Sequence, residues 1–434
     1  MSNQLDKILI SASQPGFEAN LGELRLEMMK TARFAGRSKR YDQVRDILRN
    51  VAKNKDDAVI KYTKDYDGVK LAPEQLQISK EDLEKAHSQI SKDLLKSIRQ
   101  AIENVRKYQT EIFIGNFKHP GIKYTPIQRI GICVPGASAP LPSTVIMTAV
   151  PAQVAGVKEI AVVSPPRYNG SIHPVILAAC CELRIKGVYR IGGAQAVTAL
   201  AIGTANIPKV DKIVGPGNQW VQTAKREVFG LVDIDSIAGP SEVLIIANDK
   251  ANPAWVAADM LSQAEHDPGS AILFTDSQEF TEKTLAELKK QVNQLNRAEE
   301  TIECLNKYSG IVVFENMDDV IKWANKFAAE HLEVQCGDKS RKIADRIDNA
   351  GAIFIGDYSP VAVGDYWAGP SHTLPTGGSA RFSSALSAND FIKSTSIIEY
   401  DKNKLAESAE DIIRLAEAEG LDAHAKSIKI RQQD

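Results

Sequence analysis

Between about residues 38 and 113, apolar positions recur at helical spacing among charges, as in YDQVRDILRNVAKNKDDAVIKYTKDYD and DLEKAHSQISKDLLKSIRQAIENVRKY. This predicts a solvated layer of helices. After Pro126 the pattern changes. The short β-branched runs RIGICVP, EIAVVSPP, GVYRIGG and DKIVGPG alternate with the apolar helical stretches STVIMTAVPAQVAGV, HPVILAACCEL and AQAVTALAIG. Strand-length runs without alternating polar positions, divided by helices, predict a parallel sheet covered on both faces. A second such set follows Pro240: EVLIIA, SAILFT, GIVVF, HLEVQC and GAIFIG, divided by helices that include WVAADMLSQAEH and MDDVIKWANKFAAEH. Two α/β domains accommodate this better than one. The tail from Lys402 to Asp434 reads as a charged amphipathic helical segment, too thin to form a core alone, so it must pack on something else. No fixed-period repeat or low-complexity tract occurs, which removes solenoids and disordered scaffolds.

Composition narrows the function classes. A chain of 434 residues with 43% hydrophobic and 25% charged residues can bury two sizeable cores. Its 53 Lys and Arg against 55 Asp and Glu give a net charge of -2, too small a field to gather nucleic acid or anionic lipid. The first residues lack the cationic start and apolar core of a signal peptide, so a cytoplasmic address is expected. No apolar stretch reaches about 18 residues, since even Thr144 to Val163 contains Pro151, Lys158 and Glu159, and no membrane span is expected. The five cysteines, Cys133, Cys180, Cys181, Cys304 and Cys336, form no CxxC pair and no regular spacing, which argues against a disulfide framework. For Cys180 and Cys181 the alternatives are buried helix packing and a thiol nucleophile.

Four glycine-rich loops stand out: VPGAS, IGGAQ, VGPGN and AGPSE. Glycines at the carboxyl ends of parallel strands let backbone approach a ligand closely. Yet no GxGxxG occurs, so dinucleotide loops and ordinary tight turns remain open alternatives. MLSQAEHDPGS puts Gln263 and His266 three apart on a predicted helix, on one face near its end. That face can hold a cation, or His266 can merely cap the helix. GDYWAGPSHTLPT supplies Asp365 and His372 in a loop that Gly364, Gly369 and Pro370 should keep irregular, and the tail adds Glu419 and His424. His87, His119 and His173 have no acid neighbours in the sequence. FAAEHLEV leaves Glu330 and His331 adjacent where a helix enters a strand. There a histidine can take a proton from an alcohol and a carboxylate can activate water; the alternative is a solvated acid and a capping histidine.

The order and wording of VPG, GGAQA, KIVGPGN, AGPSEVLIIA, DMLSQAEHD, AEHLEV, GDYWAGPSHTLPT and the final LDAH resemble the histidinol dehydrogenase family, from about residue 30 to 424. The resemblance implies two Rossmann-like parallel-sheet domains with helical N-terminal and C-terminal extensions. Residues 1–30 would be the N-terminal extension, and 31–130 with 241–385 the domain carrying metal and catalytic groups. Residues 131–240 would carry the cofactor loops, and 386–434 a tail reaching a partner subunit. It further implies a homodimer with zinc (Zn2+) held by Gln263, His266, Asp365 and His424, the last from the other subunit. Glu330 and His331 would be the catalytic pair. Substrate contacts would come from Ser241, His372 and Glu419 together with Gln263, His266, His331, Asp365 and His424, and contacts to NAD from the positions of Cys133, Gln195 and Asn218.

The implied reaction oxidises L-histidinol through L-histidinal to L-histidine, the last step of histidine biosynthesis, with NAD accepting each hydride. The chain departs from the family pattern near the cofactor: a tyrosine common before the PG turn is Cys133, and PGG has become Pro135, Gly136, Ala137. Weaker binding through the remaining loops is the expectation. Two rivals remain open. One is a relative that oxidises another diol or hydroxy acid, against which Glu419 and His372 favour a cationic, imidazole-bearing substrate. The other is a zinc-stabilised binding protein with a degenerate cofactor site.

Overall fold

A computed structural model of the chain describes residue 5 and residues 7–30, 39–136, 140–266 and 268–433. Ala137 lies outside the described residues. The chain divides into two compact units, residues 1–114 with 126–392, and residues 115–125 with 393–434.

The first unit holds two parallel sheets. One has six strands in the order Leu9–Ser11, Gly310–Val313, Gly269–Thr275, Ser241–Ala247, His331–Gln335 and Ala352–Ile355, every neighbour parallel. The other has five, in the order Gly187–Tyr189, Glu159–Val163, Arg129–Cys133, Lys212–Val214 and Asp233–Ile234, again all parallel. Each sheet is covered on both faces, as apolar runs without alternation require. In the five-stranded sheet Ile130, Ile132, Val162 and Val188 enter one core, and Cys133, Ala161, Val163 and Tyr189 enter the other. In the six-stranded sheet Val243, Ile245, Leu273 and Ile311 face one core, and Leu244, Ile246, Phe274 and Val334 the other. The period of two along each strand thus sorts side chains between two helical layers rather than between core and water.

The packing of residues 1–111 departs from the expectation in two respects. The helices Lys39–Asp67, Lys80–Ser88 and Lys92–Glu111 pack mainly on the five-stranded sheet's helices, and the third also meets residues 241–385 where Asn104 donates to the Trp367 carbonyl. Their apolar stripes decide this: Val44, Ile47, Val51 and Val59 join Val197 and Leu200, while Ile98, Ile102 and Val105 join Val145 and Met147. The first thirty residues are not a helical extension alone, because Leu9–Ser11 forms an edge strand and Phe17 and Leu21 of the helix Phe17–Lys30 enter the six-stranded sheet's core.

In the second unit the helices Lys402–Ala418 and Asp422–Ile430 pack on each other and bury only Ala409, Ala416 and Ala425. Leu415, Leu421 and Ile430 stay exposed, so the tail has no core of its own. Among the described residues no helix is long and apolar enough to cross a membrane.

Candidate active site

A cleft of about 880 Å³ is lined from one side by Cys133, Pro135, Gly136, Gln195, Gly217 and Asn218, and from the other by Ser241, His266 and Pro268. The first group follows the carboxyl ends of the five-stranded sheet, where parallel sheets bind ligands. The second group does not. Ser241 begins its strand, Pro268 precedes Gly269–Thr275, and His331 begins His331–Gln335, so these residues stand at the amino edge of the six-stranded sheet. The AGPSE loop therefore enters a strand rather than leaving one.

The helix Met317–Phe327 ends at Ala328 in the left-handed conformation, and three residues later the strand begins. This abrupt turn buries both Glu330 and His331, at 6% and 4% exposure. The Ser241 hydroxyl donates to Glu330 Oε2 at 2.7 Å, and the Glu242 backbone N–H donates to the same oxygen at 2.9 Å. Burial nevertheless dominates and pushes the Glu330 carboxyl up to about 8, with the charges of Glu242 and Asp365 adding to the rise. His331 Nδ1 lies 3.2 Å from the Glu242 carbonyl oxygen, which can only accept, so the ring proton sits on Nδ1 and the lone pair on Nε2. Among the described residues Nε2 has no hydrogen-bond partner, and burial holds the imidazole below its usual range. A neutral imidazole with an uncommitted lone pair is a proton acceptor.

Asp365 Oδ1 stands 3.9 Å from His331 Nε2, beyond hydrogen-bond reach. Asp365 is on a short helix, Val361–Tyr366, rather than in an irregular loop. Gly364 beside it matters because a Cβ there would meet the Phe354 ring at 2.6 Å, the ring that packs on His331 at 6.0 Å between centroids. Burial raises the Asp365 carboxyl, and the nearby charges of His331 and His266 oppose the rise. His331, Asp365 and His372 line one cavity of about 310 Å³, and His372 is pushed down to about 4 by burial, so it is neutral at ordinary pH.

Gln263 is 3% exposed and its Nε2 has no partner among the described residues, while His266 is exposed. The two do not share a helix face, because the helix Pro253–Ala264 ends at Glu265 and His266 follows it. Pro268 disfavours continued helix here. Among the described residues no three His, Cys, Asp or Glu side chains gather as a metal cluster. Glu419 caps the helix Lys402–Ala418 and His424 is on Asp422–Ile430, both in the second unit.

The cofactor-loop candidates are fixed by their own backbone. Gln195 is buried in the first turn of the helix Gly193–Ile202. Asn218 caps Gln219–Val228, its Oδ1 accepting from Trp220 N and Val221 N, which leaves only its amide N–H groups for a ligand. Lys225 is fully buried, paired with Asp235, and donates to the Gly215 carbonyl at 3.1 Å, while Asp235 accepts from Gly215 N at 2.7 Å. Gly215 has φ +101, and a Cβ there would meet the Cys133 carbonyl oxygen at 2.4 Å. Gly215→Ala is therefore expected to destabilise the chain by about 1–3 kcal/mol for the backbone conformation alone, read as a lowered melting temperature. An unchanged melt would show that the loop relaxes freely.

Burial holds the thiols of Cys133 and Cys180 at about 12, so both act as apolar packing and not as nucleophiles. His87, without an acid neighbour in sequence, meets Glu182 in space at 2.6 Å. Glu242 escaped the sequence reading because its part in the site is played by backbone N–H and C=O, which no side-chain pattern reveals. The position of Glu242 in AGPSE, fully buried at the start of an apolar strand, was the available signal.

Parallel sheets wrapped by helices, with a buried carboxyl and a neutral imidazole at the margin of a ligand-sized cleft, define an α/β enzyme equipped for proton transfer. The family model described as histidinol dehydrogenase matches residues 32–432. Histidinol dehydrogenases of Rhodopirellula baltica and Bacillus subtilis are each 46% identical to the chain, over 90% of it and 86% of the first relative, and over 92% of it and 95% of the second. The crystal structure of histidinol dehydrogenase from Elizabethkingia anophelis superposes with a TM-score of 0.89 at 34% identity, covering 98% of both chains. The chain belongs to the histidinol dehydrogenase family of oxidoreductases.

Proposed function

We propose that the chain oxidises L-histidinol to L-histidine by way of L-histidinal, with NAD as oxidant and zinc in the site, as a homodimer. The observation that supports this most is the placement of His331 Nε2, buried, without a partner among the described residues and 3.9 Å from Asp365, with Glu330 directly beside it. The donor set suits zinc. An amide, an imidazole and a carboxylate offer mixed oxygen and nitrogen ligands. Gln263 would ligate through its amide oxygen, and Asp365 lies within electrostatic reach of His266. Gln263, His266 and Asp365 of one chain with His424 of the other would hold the ion. When bound, zinc supplies a template for the substrate's imidazole and amine nitrogens, and NAD the hydride acceptor.

The chain's own groups do the proton work. His331 Nε2 takes the hydroxyl proton of the alcohol, its ring held by the Glu242 carbonyl. Glu330, once ionised, takes a proton from water as it adds to the aldehyde, and Ser241 and the Glu242 N–H orient that carboxylate. His372, neutral in the same cavity, offers a hydrogen-bond partner to the substrate without a competing charge.

The direct test is spectrophotometric. Absorbance of reduced nicotinamide should rise when purified enzyme meets NAD and L-histidinol, and stay flat with plain or sulfonated diols. Turnover on the diols but not on histidinol would transfer the reading to a different substrate, and no signal with any of them would leave a binding protein.

A further inference from the structure

Behind the site lies a buried group that none of the steps above uses. Glu333, 1% exposed, is two residues after His331 and shares its face of the strand. Gln335, two further on, donates through Nε2 to Glu333 Oε2 at 3.0 Å and to Asp259 Oδ2 at 2.7 Å. The Asp259 and Glu333 carboxyls thus meet on one amide, and burial raises both above the usual carboxylate range. Glu333 Oε1 accepts the Val361 N–H at 2.9 Å.

Each member belongs to an element that carries a site residue. Asp259 is one turn before Gln263 on the helix Pro253–Ala264, and four residues apart is the same face. Glu333 and Gln335 share the strand that His331 begins. Val361 is the first residue of the short helix that ends in Asp365 and Tyr366. Burying an acid pair costs desolvation energy that an apolar pair would avoid, so burial alone gives no reason for these residues. What they add is direction, since hydrogen bonds fix the axial position of three elements where apolar contacts would let them slide.

We infer that Asp259, Glu333 and Gln335 are positioning residues that lock Gln263, His331 and Asp365 into one geometry, so that metal affinity depends on a knot that touches neither metal nor substrate. This rests on the proposed reading of Gln263 and Asp365 as zinc ligands.

The test uses the full-length chain with zinc affinity measured by chelator competition, alongside the melting temperature of metal-free protein and steady-state kinetics. Val361→Pro removes that N–H and exchanges the half-buried valine side chain for a ring of similar size. Proline is favoured at a first helical position, and Pro360 before it already has the extended ψ of 159° that a following proline demands. Val361→Pro and Glu333→Leu are each expected to weaken zinc binding by about tenfold to a hundredfold and to lower kcat, with the KM for NAD unchanged. Glu333→Gln should rescue. Its oxygen still accepts from Val361, its amide donates to Asp259, and Gln335 can turn to present its Oε1, which has no partner among the described residues. Should Val361→Pro fail to fold, the contrast of leucine with glutamine at 333 decides the matter. Zinc bound as tightly by the proline and leucine variants as by the parent overturns the inference. A parent chain that binds no zinc at all overturns the ligand assignment, and this inference with it.

Discussion

Glu330→Gln is expected to slow the oxidation of L-histidinal by about 10²–10⁴ while slowing the oxidation of L-histidinol far less. The glutamine oxygen can still accept from the Ser241 hydroxyl and the Glu242 N–H, so the turn should keep its shape and only the base is lost. The sign of the pH dependence follows from burial, which places the carboxyl at about 8. It is protonated and idle below that value and ionised above it. Aldehyde oxidation by the parent should therefore climb with pH up to about 8 and level off beyond it, and this limb should vanish in the glutamine variant. His331→Asn, by contrast, should slow both oxidations, because the same imidazole faces the substrate in each. Supplying histidinal directly and following reduced nicotinamide over a pH series separates the two steps. Equal, mild losses in both steps for both variants would refute the division of labour.

The strands were legible because the chemistry that makes a parallel sheet also makes its sequence conspicuous. A strand buried on both faces has no polar alternation, so EVLIIA and RIGIC could hardly be anything else between helices. Leu9–Ser11 is three residues of mixed exposure on a sheet edge, and Asp233–Ile234 is only two. Neither is long enough to carry a period. Amphipathic spacing marked the helices of residues 39–111 but not their partner, since a stripe such as Val44, Ile47 and Val51 shows which side is buried and not what buries it. That is why those helices were expected on the wrong sheet.

In the site, legibility followed the side chains. The junction that carries Glu330 and His331 was legible because a helix running straight into a strand is visible in the pattern, and the structure supplies what made the turn possible, a left-handed Ala328. The Gln263 and His266 spacing was read as a helical face, but the helix stops short of His266. Glu333 and Asp259 were missed for a plainer reason. An acid on a strand or on a helix flank reads as solvent-facing, and only the coordinates show that the two face each other. The parts of the site built from backbone or from buried pairs are thus the parts a sequence pattern hides.

Mixing two inactive variants should restore activity if the proposed ligand set is divided between subunits. On that ligand set, Asp365→Asn would spoil the share of the site held by the first unit, and His424→Asn the share contributed by the partner's tail. Each homodimer then has two damaged sites. In a mixed dimer one site takes its first unit from the His424→Asn chain and its tail from the Asp365→Asn chain, and so contains only intact residues. The other site collects both lesions. After joint unfolding and refolding, or co-expression, random pairing in equal amounts makes about half the dimers mixed with one working site in each, so about a quarter of the parental activity should return. Chelation should abolish the restored activity and zinc should bring it back. The same experiment has a sharp negative outcome: if the tail served the site of its own chain, every mixed dimer would hold one lesion per site and no activity would return.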